Sequence, residues 1–378
     1  MIVKKGKTLP DGVNVEKQRL GGISMTNDYS VTHTEKLEQQ NTKTKIKLKK
    51  LKDQVIVITG ASSGIGLVTA RMAAEKGAKV VAAARNEDAL KELADELKEK
   101  GHDAIWVKAD VGKEEDVNRI AETAISTFGR FDTWVNNAAV SIFGHAMDVT
   151  VEDMKRMFDA NFWGPVYGTR AAVKHYTSRG VPGALINVGS LFGDRGTVIQ
   201  STYASAKFAL HGWTESIRME LEKEQAPVSV TLIHPGRIDT PYNEHARSYL
   251  DKQPAHYRSI IYPPEAVSEA ILFAAEHPKR DMYIGSQAKA IAMLGALFPR
   301  LTDRLMEKIM YHSQHAERPS KPREESALYE EGYGMHNRGT NKGWKRSRSY
   351  YTKATKRPIV SGAVVAGLVA LAAVKRCR

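Results

Sequence analysis

The 378-residue sequence holds one cysteine, Cys377. A single thiol excludes an intramolecular disulfide and any four-cysteine zinc site, and it agrees with a reducing compartment. No constellation of metal ligands is read. The N-terminus, MIVKKGKTLPDGV, has lysines but no apolar run behind them, so it is not a secretory signal. Internal repeats are absent. Long apolar runs are nearly absent too: the longest strongly apolar one is Ile359 to Val374, 16 uncharged residues. As a helix it measures about 24 Å, short against a hydrocarbon core of about 30 Å. Basic residues flank it on both sides and give no orientation. Two readings stand for 359–374: a tail in contact with a membrane, or a buried or partner-binding helix.

The formal net charge is +13. It sits at the ends. Residues 1–52 carry 12 Lys/Arg against 5 Asp/Glu, and residues 311–378 carry 14 against 5. The stretch between them is slightly acidic. A basic body would point to nucleic acid. Basic ends on a near-neutral body point to solubilising arms or to an anionic surface, so no nucleic-acid partner is expected. Residues 1–50 lack an apolar period and read as a disordered basic arm. Gly21-Gly22 precede Met25 closely; in a bacterial gene that codon pair would resemble a ribosome-binding run, which makes Met25 an alternative start to Met1.

From Leu51 the pattern changes. Val55 to Thr59 is wholly apolar up to its last residue, the kind of strand buried on both faces of a parallel sheet. A glycine turn and a helix to about Lys76 follow, with Gly77 placed to end it. Lys79 to Ala84 is a second strand, and Asn86 can cap a helix to about Lys100. Ala104 to Lys108, Glu114 to Phe128 and Thr133 to Asn136 continue the alternation as strand, helix and strand. A long helical region from Val151 to about Ser178 is interrupted at 161–165, where Pro165 implies two helices meeting. Ala184 to Val188, Thr202 to Glu224 and Val228 to Ile233 give strand, helix, strand. After a looser segment, about 237–263, a helix starts at Pro264. Met282 to Gly285 reads as a seventh, edge strand. The order predicts an α/β fold, a doubly wound parallel sheet of Rossmann type forming one catalytic domain over about 51–290. Residues 291–312 read as an amphipathic helical extension broken at Pro299. Its apolar positions, Ile291, Met293, Leu294, Leu297, Leu301, Leu305, Ile309 and Met310, are expected to pack on the core, with a lid or membrane-surface helix as the alternative. Residues 313–357 read as an unfolded polar, basic linker, and 358–378 as the apolar tail.

The turn Gly60-Ala61-Ser62-Ser63-Gly64-Ile65-Gly66 joins the first strand to the first helix. Its glycines let backbone approach a pyrophosphate, and the helix N-terminus attracts the anion. Asp110, Asn136-Asn137-Ala138, Ser190 and His234-Pro235-Gly236 each end a strand at the same sheet edge. That edge is where open α/β sheets bind ligands. The end of the second strand carries Ala84 and Arg85 where a carboxylate would hold a ribose 2′-hydroxyl. A cation there suits a 2′-phosphate, so NADP is expected over NAD. Tyr203 and Lys207 are four apart and share a helix face. A nearby ammonium would lower the phenol from about 10, which makes Tyr203 a general acid/base, with Ser190 placed to hold a substrate oxygen.

TGASSGIG, the NNAA stretch, Asn161, Ser190, YASAK and PGRIDT together resemble the short-chain dehydrogenases/reductases, in the short single-domain branch, over about residues 52–290. The resemblance implies hydride transfer between a nicotinamide and a carbonyl or secondary alcohol. It implies Tyr203 as acid/base, Lys207 lowering its pKa and binding the nicotinamide ribose, Ser190 orienting the substrate and Asn161 holding a water in a proton relay. It also implies a cofactor held by Ser62, Ser63, Ile65 and the turn glycines, by Asp110 and Val111 at the adenine, by Asn137 and Ala138, and by Pro235, Gly236, Ile238 and Thr240 at the nicotinamide. Ala139 departs from the glycine usual there. Homodimers or homotetramers pairing through the helices near 161–179 and 202–224 are implied. Phe143, His145, Phe192 and the 237–263 segment are expected to shape the substrate pocket, and Trp163 with the apolar loop residues hints at an apolar substrate. A cytoplasmic location follows from these readings, with membrane association only on the membrane-contact reading of 359–374. The rival from another class is a non-catalytic cofactor-binding scaffold tethered by its ends.

Overall fold

The computed structural model describes residues 46–255, 260–341 and 344–346. The N-terminal arm up to residue 45 and the apolar stretch 359–374 lie outside them. Among the described residues no helix is long and apolar enough to cross a membrane.

The centre is a seven-stranded sheet: β1 (Val55–Thr59), β2 (Lys79–Ala84), β3 (Ala104–Lys108), β4 (Thr133–Asn136), β5 (Gly183–Val188), β6 (Val228–Pro235) and β7 (Asp281–Ile284). Their order is β7-β6-β5-β4-β1-β2-β3, and every neighbouring pair runs parallel. β1 is buried at all five positions because helices cover both faces. On one face α1 (Gly64–Glu75) and α7 (Pro264–Glu276) pack on Ile56, Ile58, Val80 and Ile186. On the other, α3 (Glu114–Phe128), α5 (Gly164–Arg179) and α6 (Ser201–Lys223) cover Val55, Val57, Trp134 and Leu185. α2 (Glu87–Glu99) flanks the β2–β3 edge, capped by Asn86, whose side chain accepts from the Ala89 amide. The strand order reverses between β1 and β4, which opens the crevice expected at a topological switch point.

One expectation is refined and two are corrected. The interruption expected at 161–165 is present as a π-turn rather than a break, and two α-helices meet through it. α4 (Val151–Phe158) runs through a π-turn at Asp159–Trp163 directly into α5. Pro165 has no N–H to continue the ladder across this junction, and the π-turn just before it accommodates the lost bond.

Only part of the extension's apolar set packs on the core: Met310 is buried and Ile291 and Leu294 are half-buried. α8 (Ser286–Leu297) and α9 (Pro299–Leu305) turn Met293, Leu297, Leu301, Leu305 and Ile309 outward. The face against the body is Ala288, Gly295, Thr302, Met306 and Met310. Small residues let α8 approach closely: a Cβ at Gly295 would sit 2.9 Å from the Arg195 side chain.

Residues 313–341 are not an unfolded linker over their described length. His315–Pro319 pairs antiparallel with Lys252–Pro254. Beyond it the chain runs along the carboxyl edge of the sheet with Ala327 and Leu328 buried. Composition hides this because the segment is held mainly through backbone and polar contacts rather than an apolar stripe.

Candidate active site

The carboxyl ends of β1, β4, β5 and β6 open into a cavity of about 230 Å³. At one end stands the turn between β1 and α1. Gly60 takes φ +68°, and a Cβ on Gly66 would lie 2.1 Å from the Gly60 carbonyl oxygen, so the helix can start against the strand only without side chains there. The Asn137 amide group donates to the Thr59 carbonyl at 2.9 Å, and the Thr59 hydroxyl accepts from the Asn137 and Ala138 amides. These bonds lock the β4 end against the turn. Ser62, Ser63, Gly64, Ile65, Asn137 and Ala138 line this end, with Pro235, Gly236, Ile238 and Thr240 opposite.

At the other end Tyr203 and Lys207 project from the first turns of α6, both buried. The Lys207 amine donates to the Val188 carbonyl at 2.9 Å and lies 5.8 Å from the Tyr203 ring centre. Burial lowers its pKa to about 8. Burial also raises the Tyr203 phenol above 10, and hydrogen bonds with the Ser190 and Tyr242 hydroxyls draw it part of the way back. The spacing argument expected Lys207 to depress Tyr203. In this state the desolvation of the phenol prevails and the amine is turned to a backbone carbonyl. The Tyr242 hydroxyl meets Ser141 at 2.7 Å and Gln200 at 2.8 Å, and its ring lies edge-on to Tyr203 at 5.5 Å. Tyr242 belongs to the 237–263 segment expected to shape the pocket, and it does line the cavity; Gln200 and Ser141 escaped the sequence reading.

Asn161, in the π-turn, bonds both its amide atoms to the Val140 backbone, at 2.8 and 2.9 Å, and so pins the loop after β4. Phe192 lines the cavity, whereas Phe143 is 1% exposed in a separate apolar cluster. Trp163 is 45% exposed on the outside and does not line the cavity, so it says nothing of the substrate.

The adenosine end differs most from expectation. Arg85 lines the cavity, but its guanidinium donates to three successive carbonyls of the C-terminal segment: Ala327 at 2.6 Å, Leu328 at 3.3 Å and Tyr329 at 3.1 Å. Asp110 is paired with Arg156 at 2.6 Å. Burial pushes its carboxyl up, but the Gly112 amide and Arg156 outweigh this and hold it below its usual range. Val111 packs against Gly164 of α5 in the core, and neither it nor Asp110 lines the cavity. The segment continues over the turn itself: the Met335 amide donates to Ser62 and the Gly64 amide donates to His336. Glu331 and Gly332 thereby join the cavity lining.

A glycine cradle without room for Cβ atoms, a helix N-terminus and a buried Tyr–Ser–Lys group at the far end fit a dinucleotide with its reactive ring beside Tyr203. The fold and this cleft define an oxidoreductase that depends on a nicotinamide dinucleotide and acts on CH–OH groups. The family description "short chain dehydrogenase" matches residues 54–251, and the chain belongs to that family. It is 93% identical to the oxidoreductase YxnA of Bacillus subtilis (strain 168) over 356 residues, which is 94% of this chain and 100% of that protein. It is 31% identical to the oxidoreductase SadH of Mycobacterium tuberculosis (strain H37Rv), over 67% of this chain and 94% of that one. Among solved structures, a short chain dehydrogenase/reductase from Burkholderia phymatum in complex with NAD superposes with a TM-score of 0.61. It shares 22% identity and covers 73% of this chain and 99% of its own. One from Mycobacterium marinum has a TM-score of 0.53 at 26% identity, over 62% and 94%.

Proposed function

We propose that the protein is an NADP(H)-dependent reductase or dehydrogenase of a carbonyl or secondary-alcohol substrate, with Tyr203 as the general acid/base. The observation that carries this reading is the convergence of Ser190, the buried Tyr203 and Lys207 on one cavity that also holds the glycine turn, with the Lys207 amine 5.8 Å from the Tyr203 ring centre. The nicotinamide supplies or accepts the hydride when bound. In reduction Tyr203 gives its proton to the developing alkoxide while Ser190 donates a hydrogen bond to the same oxygen. Lys207, once turned to a cofactor ribose, brings its charge nearer Tyr203 and lowers the phenol. Asn161 keeps the Val140 loop in register and retains its place beside the proposed proton relay.

Arg85 supports NADP. It stands at the end of β2, and its Nε–H and one Nη2 N–H have no acceptor among the described residues, which leaves two donors for a 2′-phosphate. Phe192, Tyr242 and Val140 give the substrate side an apolar wall, which favours an apolar carbonyl compound. Trp163, Phe208 and Met219 are exposed on or beside α5 and α6 and support pairing of these helices in a homodimer or homotetramer. The test is direct binding of NADPH and NADH to the full chain, followed by turnover on a panel of carbonyl compounds and alcohols. Preferential NADPH binding with turnover is expected. Binding of neither cofactor would overturn the reading, and tight binding with no turnover on any substrate would favour the tethered scaffold.

A further inference from the structure

Behind the loop that carries Ser190 lies a buried polar group that the proposed chemistry does not use. His211, one turn beyond Lys207 on α6, inserts its ring into that loop. A Cβ at Gly189 would stand 2.2 Å from His211 Nε2, and one at Gly193 would stand 2.4 Å from the same atom. Both glycines are therefore spacings cut to the imidazole. The Ser190 amide donates to His211 Nε2 at 3.3 Å. That nitrogen must be unprotonated to accept, so the proton of the neutral ring is on Nδ1. Nδ1 faces Asp194 Oδ1 at 3.2 Å.

Asp194 uses its second oxygen on His234, at the end of β6, with Nδ1 to Oδ2 at 2.9 Å. The other nitrogen of His234 faces Asp281 Oδ1 at 3.5 Å. His234 thus lies between two carboxylates, one from the Ser190 loop and one from β7. The remaining groups around it are the stacked Tyr283 ring at 4.1 Å, the His211 ring at 4.8 Å, and Arg218 and Arg280, both paired with Asp281. Glu215 is drawn off by Arg280, and the Lys289 amine lies over the far side of Tyr283. His234 faces a carboxylate at each ring nitrogen, whereas both arginines pair with Asp281, so His234 is placed to carry a positive charge.

We propose that Asp194, His211 and His234 are positioning residues for Ser190: His211 is the acceptor that fixes the Ser190 amide, Asp194 sets its tautomer, and a charged His234 keeps it neutral. The two rings are 4.8 Å apart, and like charges at that distance repel. Burial first, and the His234 charge after it, hold His211 below 6.5, while the two carboxylates overcome burial and raise His234 above 6.5. Asp194, with both imidazoles on it, is lowered to about 2 and stays ionised. The consequence for catalysis rests on the role of Ser190 proposed above; the arrangement itself does not.

The experiment is nuclear magnetic resonance of the full-length protein labelled at its histidine rings, with the Ser190 amide followed in parallel, from pH 4.5 to 8.5. His211 is expected as the Nδ1–H tautomer, titrating at lower pH than His234. The Ser190 amide signal should shift with His211. In His234→Gln the His211 midpoint should move up in pH, and the Ser190 shift should move with it. Where turnover is measurable, the acid limb of kcat should move the same way with cofactor affinity unchanged. His211→Asn, which removes the ring, should cost kcat rather than cofactor binding. The proposal is overturned by the Nε2–H tautomer at His211, by a Ser190 amide indifferent to pH, or by an unmoved His211 midpoint in His234→Gln. A stoichiometric zinc ion bound through the two Nδ1 atoms would also overturn it. If the titrations behave as expected and no substrate turns over, the enzymatic reading fails and the positioning network stands.

Discussion

Lys207 and Val188 meet across the cleft, the lysine amine donating to the main-chain carbonyl at 2.9 Å. One carbonyl is poor compensation for an ammonium taken wholly out of water, which is why the amine falls to about 8. The consequence is a pH-dependent stability. Below pH 8 the amine is charged in both folded and unfolded chains, and the fold carries the full burial cost. Between about 8 and 10.5 only the unfolded chain holds the proton, so this contribution to stability rises with pH, by on the order of 3 kcal/mol in all. Urea titrations of wild type and Lys207→Met at pH 7.5 and 10 should show the wild type gaining on the variant. Parallel curves would show that the amine is not desolvated.

Tyr203→Phe removes the proton donor and leaves the ring packing against Tyr242 and Phe192 intact. Turnover is expected to fall about 100- to 10,000-fold, with cofactor affinity within a factor of about three. Retention of near-normal turnover would remove Tyr203 from the proton step.

Arg85→Ala should weaken NADPH binding about 10- to 100-fold and NADH binding much less, since a charge-assisted pair with a phosphate is lost in one case only. Fluorescence titration with each cofactor measures the difference. Equal losses would mean that Arg85 serves only to hold the Ala327–Tyr329 carbonyls.

Leu328 is 1% exposed and packs with Ile142, Val149, Met157 and Tyr203. Leu328→Ala should therefore cost about 2–5 kcal/mol, read by chemical denaturation. A segment that floated free would give no change. Because Leu328 also sits behind Tyr203, a lowered kcat in the folded variant is expected as well.

The parallel sheet, the alternation of its elements and the rim residues were legible in the sequence because the signals are local. A five-residue apolar strand, a TGxxxGxG turn and a helix with YxxxK each state their own conformation, and parallel α/β topology admits few ways to join them. Tyr203, Lys207, Ser190 and the glycine turn accordingly converge where the pattern put them. What needed the tertiary structure were contacts between elements far apart in the chain. Nothing near Arg85 announces that residues 327–329 supply its acceptors, and nothing near Ser190 announces that His211, Asp194, His234 and Asp281 stand in line behind it. The same holds for the outward turn of Leu297 and Leu301: period fixes which residues share a helix face, but only packing decides which face meets the body, and here the small residues Ala288 and Gly295 won because they let the helix come close.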